Sequence, residues 1–170
     1  MKMTDWFLAQ LDTEAARTRH ALERVPEGRD DWKPHDKSMP FGRLASLVAR
    51  MPSWISLVIK QDELDLNPPG GGSNTGFSVL ETHADLLKAF DESVAGAHDA
   101  LKHVDDARLD LPWTLKMSGK AVSSDPRHIV LRDTFMHLSH HRGQLTVYLR
   151  LSGAQVPSIY GPTADDHRFA

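Results

Sequence analysis

Apolar residues recur at spacings of three and four in four long stretches of this chain, and this helical periodicity limits the fold more than any other feature. The first stretch starts at Thr4, a suitable N-cap, and is expected to end before the proline- and glycine-containing residues 25–28. The second covers residues 41–61, where Pro52 predicts a kink or a break near residues 48–51.

The third and fourth stretches carry clear helix signals. Ser78 and Glu81 have the spacing of a capping box at the start of the third helix. Asp125 and Pro126 predict the N-cap and first residue of the fourth helix, and Gly153 is a suitable stop. Four amphipathic helices of about 20 residues, without a sustained strand pattern, predict an all-α four-helix bundle.

The segments between these helices differ in character. Residues 67–76 are rich in glycine and proline and predict a flexible loop that would permit a crossover connection. Residues 113–117 and 121–122 flank a Ser-Gly-Lys turn signal and suggest a short extended excursion or hairpin. The length of 170 residues suits a single domain spanning residues 1–170.

Composition excludes several classes of function. A net charge of −3 argues against a nucleic-acid partner. The chain has ten His and no Cys, so a transition metal would have to be bound by imidazole and carboxylate groups rather than thiolate. Neither a signal peptide nor a run of about 18 apolar residues is recognisable, which predicts a cytoplasmic protein with no membrane partner.

The strongest chemical signal lies in the fourth predicted helix, where His137 and His141 are four residues apart. Residues at this spacing share a helix face, so the two imidazoles have the geometry of a two-histidine metal clamp. Leu138 stands where the metalloprotease motif needs its catalytic Glu. The alternative is one core His bonded to a backbone carbonyl and one His facing a polar cavity. The periodicity places both His in an interior stripe, with Val130, Thr134, Leu138, Leu145 and Leu149.

The neighbours of this pair predict different roles. His140 is in line with Met136, Gly143 and Val147, a stripe suited to packing against another helix, including one from a second subunit. Arg142 is expected to point away from the pair and to form a structural ion pair.

The remaining histidines carry weaker signals. His98 and His103 lie near the end of the third helix, where the helix dipole favours them. Three others are expected at the surface, namely His20, His35 and His167. His83 could reach an interior site.

Five segments of the chain together resemble one known family, namely residues 32–34, 42–45, 51–54, 137–145 and 156–165. They are similar to the DinB family of YfiT-like helical bundles, and the likeness extends over nearly the whole chain. The resemblance implies a four-helix bundle with an up-down-down-up course. It also implies a homodimer, as in many members.

The resemblance further implies a metal, often nickel or zinc, held by three His: one on the second helix and two on the fourth. The fourth-helix pair corresponds to His137 and His141, which are the metal ligands we predict. The second-helix position is Leu47, flanked by Ser46 and Val48, so no ligand stands there. This departure weakens the predicted binding of the metal, nickel or zinc, because a structural site draws its affinity from its full ligand set.

Characterised members of the family transfer a low-molecular-weight thiol or isomerise a substrate with its help. The resemblance therefore implies a metal-dependent thiol S-transferase or hydrolase acting on a small electrophilic substrate, whose catalytic residues the sequence does not identify. His83 and Asp5 are the candidates for the missing third ligand. The alternative is a metal-free, non-catalytic, stress-associated or ligand-binding bundle. A hydrolase with His141 as a metal-free general base is a third hypothesis.

Overall fold

The computed structural model describes residues 2–71 and 78–168. In this part of the chain, six helices and three short strands follow one another in the order α1 (Met3–Leu22), α2 (Phe41–Arg50), α3 (Ser53–Lys60), β1 (Glu63–Asp65), α4 (His83–His103), α5 (Asp106–Asp110), β2 (Pro112–Met117), β3 (Lys120–Pro126) and α6 (Arg127–Leu151).

The predicted interruption of the second helical stretch is confirmed. Helix α2 ends at Arg50 and α3 begins at Ser53, with Pro52 between them. Proline lacks the N–H that would continue the helical ladder, and its ring clashes with the preceding turn. The Ser53 hydroxyl instead donates to the carbonyl of Arg50 at 2.7 Å, so the break has its own hydrogen bond.

Three predicted helix starts differ from the observed ones. Helix α1 begins at Met3 with Lys2 as its N-cap, and not at Thr4. Helix α4 begins at His83 with Thr82 as its N-cap, whose side chain accepts from the Asp85 N–H. The capping box expected at Ser78 and Glu81 therefore does not start the helix. Helix α6 begins at Arg127 because the preceding Asp125 and Pro126 pair with strand β2 instead.

The expectation of an all-α fold is also wrong, although the protein is mostly helical. Strands β1, β2 and β3 form a three-stranded sheet in that order, with β1 and β2 parallel and β2 and β3 antiparallel. The predicted hairpin is confirmed as β2 and β3, joined through Ser118 and Gly119 with φ of 51° and 79°. Both angles suit a two-residue hairpin turn. Strand β1 has only three residues, too few for a periodic signal.

Arg127 joins this sheet to the helices. Its side chain is fully buried and donates to the backbone carbonyls of Val58, Gln61, Leu111 and Pro112. It also pairs with the carboxylate of Asp62. These contacts hold the end of α3, the start of β2 and the start of α6 together, and nothing in the local sequence pattern indicates them.

The long helix α6 contributes to both clusters of buried apolar side chains. Leu138, Leu145 and Leu149 lie in one cluster with α2, while Leu131 and Phe135 lie in the other with α1 and α3. The helix ends as predicted just before Gly153, whose φ of 83° suits a residue without a side chain. In the described ranges no helix is long and apolar enough to cross a membrane. Of the glycine-rich loop predicted at 67–76, residues 72–77 lie outside the described residues.

Candidate metal centre

The predicted pair His137 and His141 converges on one point beside helix α6. Their Nε2 atoms are 2.8 Å apart and their ring centroids 4.6 Å apart. A helix with 3.6 residues per turn places residues four apart on the same face, so local geometry alone produces this approach.

Gln144 orients the ring of His141. The side-chain oxygen of Gln144 lies 2.8 Å from Nδ1 of His141, and an amide oxygen can only accept, so Nδ1 carries the proton. In the neutral ring, Nε2 of His141 is then an acceptor, and Nε2 of His137 donates the proton of the 2.8 Å contact between the two rings. The amide nitrogen of Gln144 in turn lies 3.1 Å from Nε2 of His140, to which it donates. A four-member chain of hydrogen bonds therefore fixes the tautomer, as outer partners do at metal-binding His.

The pair fits two positions of a metal site. With metal–nitrogen distances of about 2.0–2.1 Å, two nitrogen ligands of a tetrahedral ion lie about 3.3 Å apart. The two Nε2 atoms would therefore have to move apart by a few tenths of an ångström for one ion to bind both. Residues 2–71 and 78–168 contain no group of three or more His, Cys, Asp or Glu side chains that could hold a metal ion. The protein thus offers two imidazole donors, and the other positions would be left to water and bound ligands.

The expected interior placement of the pair is wrong. His137 is exposed and His141 only half-buried, whereas Leu138 and Leu145 are buried. Each helical residue is rotated by about 100° from the last, so the apolar stripe and the imidazoles occupy adjoining faces. The pair therefore lies at the margin of the core, where a dissolved ligand can reach it.

The electrostatic setting keeps His137 neutral. Its pKa is lowered from the ordinary value of 6.5 by partial burial and by the nearby imidazoles of His141 and His140. Both effects penalise the imidazolium form. Since only the neutral ring binds a metal, this setting favours metal binding at neutral pH.

Neither predicted substitute for the third ligand serves. Nε2 of His83 lies 3.1 Å from the carbonyl oxygen of Leu22, so this ring caps the end of α1. The carboxylate of Asp5 accepts from the Lys2 N–H at the start of the same helix. Leu47, the position where the resemblance implies a His, is half-buried against the cluster that contains Leu138 and Leu145.

On the other side of α6, Arg142 forms the predicted structural ion pair. Its guanidinium contacts Glu14 at 2.6 Å, with both side chains at most 3% exposed. The Tyr160 hydroxyl accepts from Arg142 and donates to Glu14 at 3.1 Å. Sequence reasoning missed Glu14 and Tyr160. A carboxylate in phase with Leu11 and Thr18 on an apolar stripe was the available signal, because a buried charge needs a partner.

The stripe predicted to meet a second subunit is open. His140 and Gly143 are exposed, and Met136 and Val147 are 64% and 55% exposed. The homodimer remains a prediction.

The weaker histidine assignments are of mixed outcome. His98 lies near the end of α4 as expected, but it also pairs with Asp12 of α1 at 2.8 Å. His103 pairs with Asp99 one turn earlier in α4. His35 is exposed and His20 is half-buried.

Comparison with known proteins places this chain in a family. The model of the DinB family matches residues 3–168. A DinB-like protein of Bacillus cereus has a similar fold with a TM-score of 0.69 and 20% identity, covering 91% of this chain and 95% of that one. A DinB-like protein of Bacillus subtilis, YjoA, gives a TM-score of 0.66 and 17% identity, covering 88% and 93%.

A DinB-family structure from Exiguobacterium sibiricum gives a TM-score of 0.63 and 18% identity, covering 90% of this chain and 93% of that one. The protein YrdA of Bacillus subtilis (strain 168), itself uncharacterized, is 44% identical over 41 residues. That match spans 24% of this chain and 25% of the length of YrdA. With a family match over residues 3–168, the chain belongs to the DinB family.

Proposed function

We propose that this DinB-family protein is a metal-dependent enzyme of the thiol S-transferase or hydrolase type, with nickel or zinc bound by His137 and His141. The observation that carries the proposal is the convergence of the two Nε2 atoms, 2.8 Å apart, with the tautomer of His141 set by Gln144. The proposal also includes a four-helix-bundle course of the long helices, a homodimeric state and a cytoplasmic location.

A bound divalent cation would supply the lowered thiol pKa that makes a thiolate available at neutral pH. The residues of the chain do the positioning: His137 and His141 present neutral nitrogens, and Gln144 holds the ring of His141. No Cys occurs among the 170 residues, so the sulfur nucleophile arrives as a cosubstrate. The exposed position of His137 leaves room for such a thiol and for a small electrophile.

The test is metal binding by protein purified without a metal column, measured by elemental analysis and by titration calorimetry with Ni²⁺ and Zn²⁺. His137→Ala and His141→Ala should each reduce affinity by at least about 100-fold, because even the loss of an outer partner costs 10- to 100-fold. His103→Ala is the matched control, since this ring is exposed at the end of α4. Thiol consumption is then followed with N-acetylcysteine and 1-chloro-2,4-dinitrobenzene.

A second candidate is a metal-free ligand-binding bundle without catalytic activity. Leu47 favours it, because it removes the third imidazole that the family places on the second helix. Under this candidate the wild type binds neither Ni²⁺ nor Zn²⁺ at micromolar concentration, and the two alanine variants behave like the wild type. That result would refute the metal-dependent function.

A further inference from the structure

A groove runs between α1 and α6 on the flank of α6 that faces away from the histidine pair. Two adjoining cavities of about 500 and about 200 Å³ form it, and Trp6 and Arg132 line both. Phe135 and Ser139 of the groove are each two residues from His137, which amounts to about 200° of helical rotation. The combined volume lies within the range of small-molecule sites.

The smaller cavity is the apolar end of the groove. Its walls are formed by side chains from the first turns of α1 and α6, namely Met3, Trp6, Phe7, His128, Ile129 and Arg132. Trp6 is 47% exposed, so its indole offers a large apolar face to solvent. Covering such a face stabilises a complex through burial of apolar area.

The larger cavity ends at a polar group built around Arg17. This guanidinium pairs with Glu14 at 2.9 Å and lies over the ring of Tyr160, 4.5 Å from its centroid. The Nε of Arg17 is shielded from solvent and has no hydrogen-bond partner among the described residues. A buried donor without a partner is destabilising, and an incoming acceptor that let Arg17 reorient would relieve it.

The charge of this polar end favours an anion. The carboxylate of Glu14 already accepts from Gln10, Arg17, Arg142 and Tyr160, so none of its capacity is left for a cationic ligand. Two guanidinium groups face this one carboxylate, which leaves one net positive charge. Arg132 adds nothing, because it is paired with Asp133 at 2.8 Å.

We propose that this groove is a second ligand site, which binds a small amphipathic carboxylate with its apolar part on Trp6 and Phe7 and its carboxylate at Arg17. About ten helical residues separate Phe7 from Arg17, or about 15 Å at 1.5 Å per residue, which suits a medium-length chain or a fused aromatic ring. The site shares no side chain with the histidine pair, so ligand binding in the groove does not depend on metal binding by that pair.

Decanoate is used to probe this site, and decanol serves as the uncharged control with the same alkyl chain length. Titration calorimetry should show saturable binding of decanoate with one ligand per chain, about tenfold tighter than decanol, and weakened by added salt. A shift of the Trp6 indole resonance in a ¹⁵N correlation spectrum should accompany it.

Two variants locate the carboxylate. Arg17→Gln should reduce decanoate affinity about tenfold, to the level of decanol, and leave decanol binding unchanged. Arg19→Gln removes a paired guanidinium of the same helix that lines neither cavity, so it should change neither affinity. Circular dichroism of both variants should match the wild type.

Several results would overturn the proposal. Equal binding of decanoate and decanol, or no binding of either, would remove the anion site. An equal loss in Arg17→Gln and Arg19→Gln would assign the effect to general surface charge. A second copy of the chain is the competing occupant, since Met136 at the rim is 64% exposed. A dimer in sedimentation that excludes decanoate would assign the groove to that copy.

Discussion

His141 and Arg142 are neighbours in the sequence, yet they lie on two flanks of α6 that differ in burial. The side chain of Arg142 is 1% exposed, pairs with the buried Glu14 and donates to the Tyr160 hydroxyl. His141 is half-buried, and its ring nitrogens are hydrogen-bonded to the imidazole of His137 and the amide of Gln144.

The difference shows that one helix can bury a charge on one flank and expose imidazoles on the other. A permanent charge is buried only where a partner and hydrogen bonds satisfy it, because an unpaired buried charge is strongly destabilising. An imidazole is neutral near pH 7 and can remain at the margin of the core at little cost. One flank therefore holds α1 to α6, while the other leaves the imidazoles of His137 and His141 accessible to solvent.

The largest expected effect comes from breaking the buried flank. Arg142→Met should lower the free energy of unfolding by about 3–5 kcal/mol, because it leaves Glu14 charged, buried and without its main partner. Urea unfolding followed by circular dichroism measures this. Arg132→Met, which affects an exposed pair with Asp133, should change it by less than about 1 kcal/mol. A loss below about 1 kcal/mol for Arg142→Met would contradict the assignment.

The role of the open flank can be tested by introducing at residue 47 the third imidazole that the resemblance implies. Leu47→His should raise affinity for Ni²⁺ or Zn²⁺ at least about tenfold, because a third ligand adds a metal–nitrogen bond. Titration calorimetry compares it with Leu47→Gln, which is polar but does not coordinate comparably. An equal gain in both variants, or a gain in neither, would show that residue 47 does not face the pair.

Gln144 tests how strongly the tautomer matters. Gln144→Leu should weaken metal binding by about tenfold, since His141 loses the acceptor that keeps its Nδ1 protonated. His140→Ala removes only the outer end of the chain of hydrogen bonds and should have a smaller effect. Unchanged affinity in Gln144→Leu would mean that the ring is held by packing alone.

The smallest effect concerns pH. The pKa of His137 is lowered from 6.5 in the folded protein, so the unfolded chain takes up this proton at higher pH than the folded one. The free energy of unfolding of the metal-free protein should therefore decline as pH falls through about 6.5, and level off once folded His137 is also protonated. Urea unfolding between pH 5 and 8 measures this. His137→Gln should remove that component, and an unchanged profile in the variant would exclude His137 as its source.

Much of the fold could be predicted from local signals. The break at Pro52, the stop at Gly153 and the hairpin around Gly119 all follow from backbone preferences that act over a few residues. The start of α4 could not be predicted to the residue, because Ser78 and Thr82 are both suitable N-caps within five residues. Thr82 is the N-cap in the structure. Strand β1 could not be predicted from the local sequence, because its partner β2 lies about 50 residues further along the chain.

By itself, the sequence determined the spacing of His137 and His141, because four residues span about one helical turn wherever the helix lies. It also determined that residue 47 is Leu and that any reacting thiol comes from outside. Only the tertiary structure decided that the pair lies at the margin of the core and that Arg142 finds Glu14 and Tyr160. Those contacts join residues more than 100 positions apart or on separate segments, so packing, and not local periodicity, selects them.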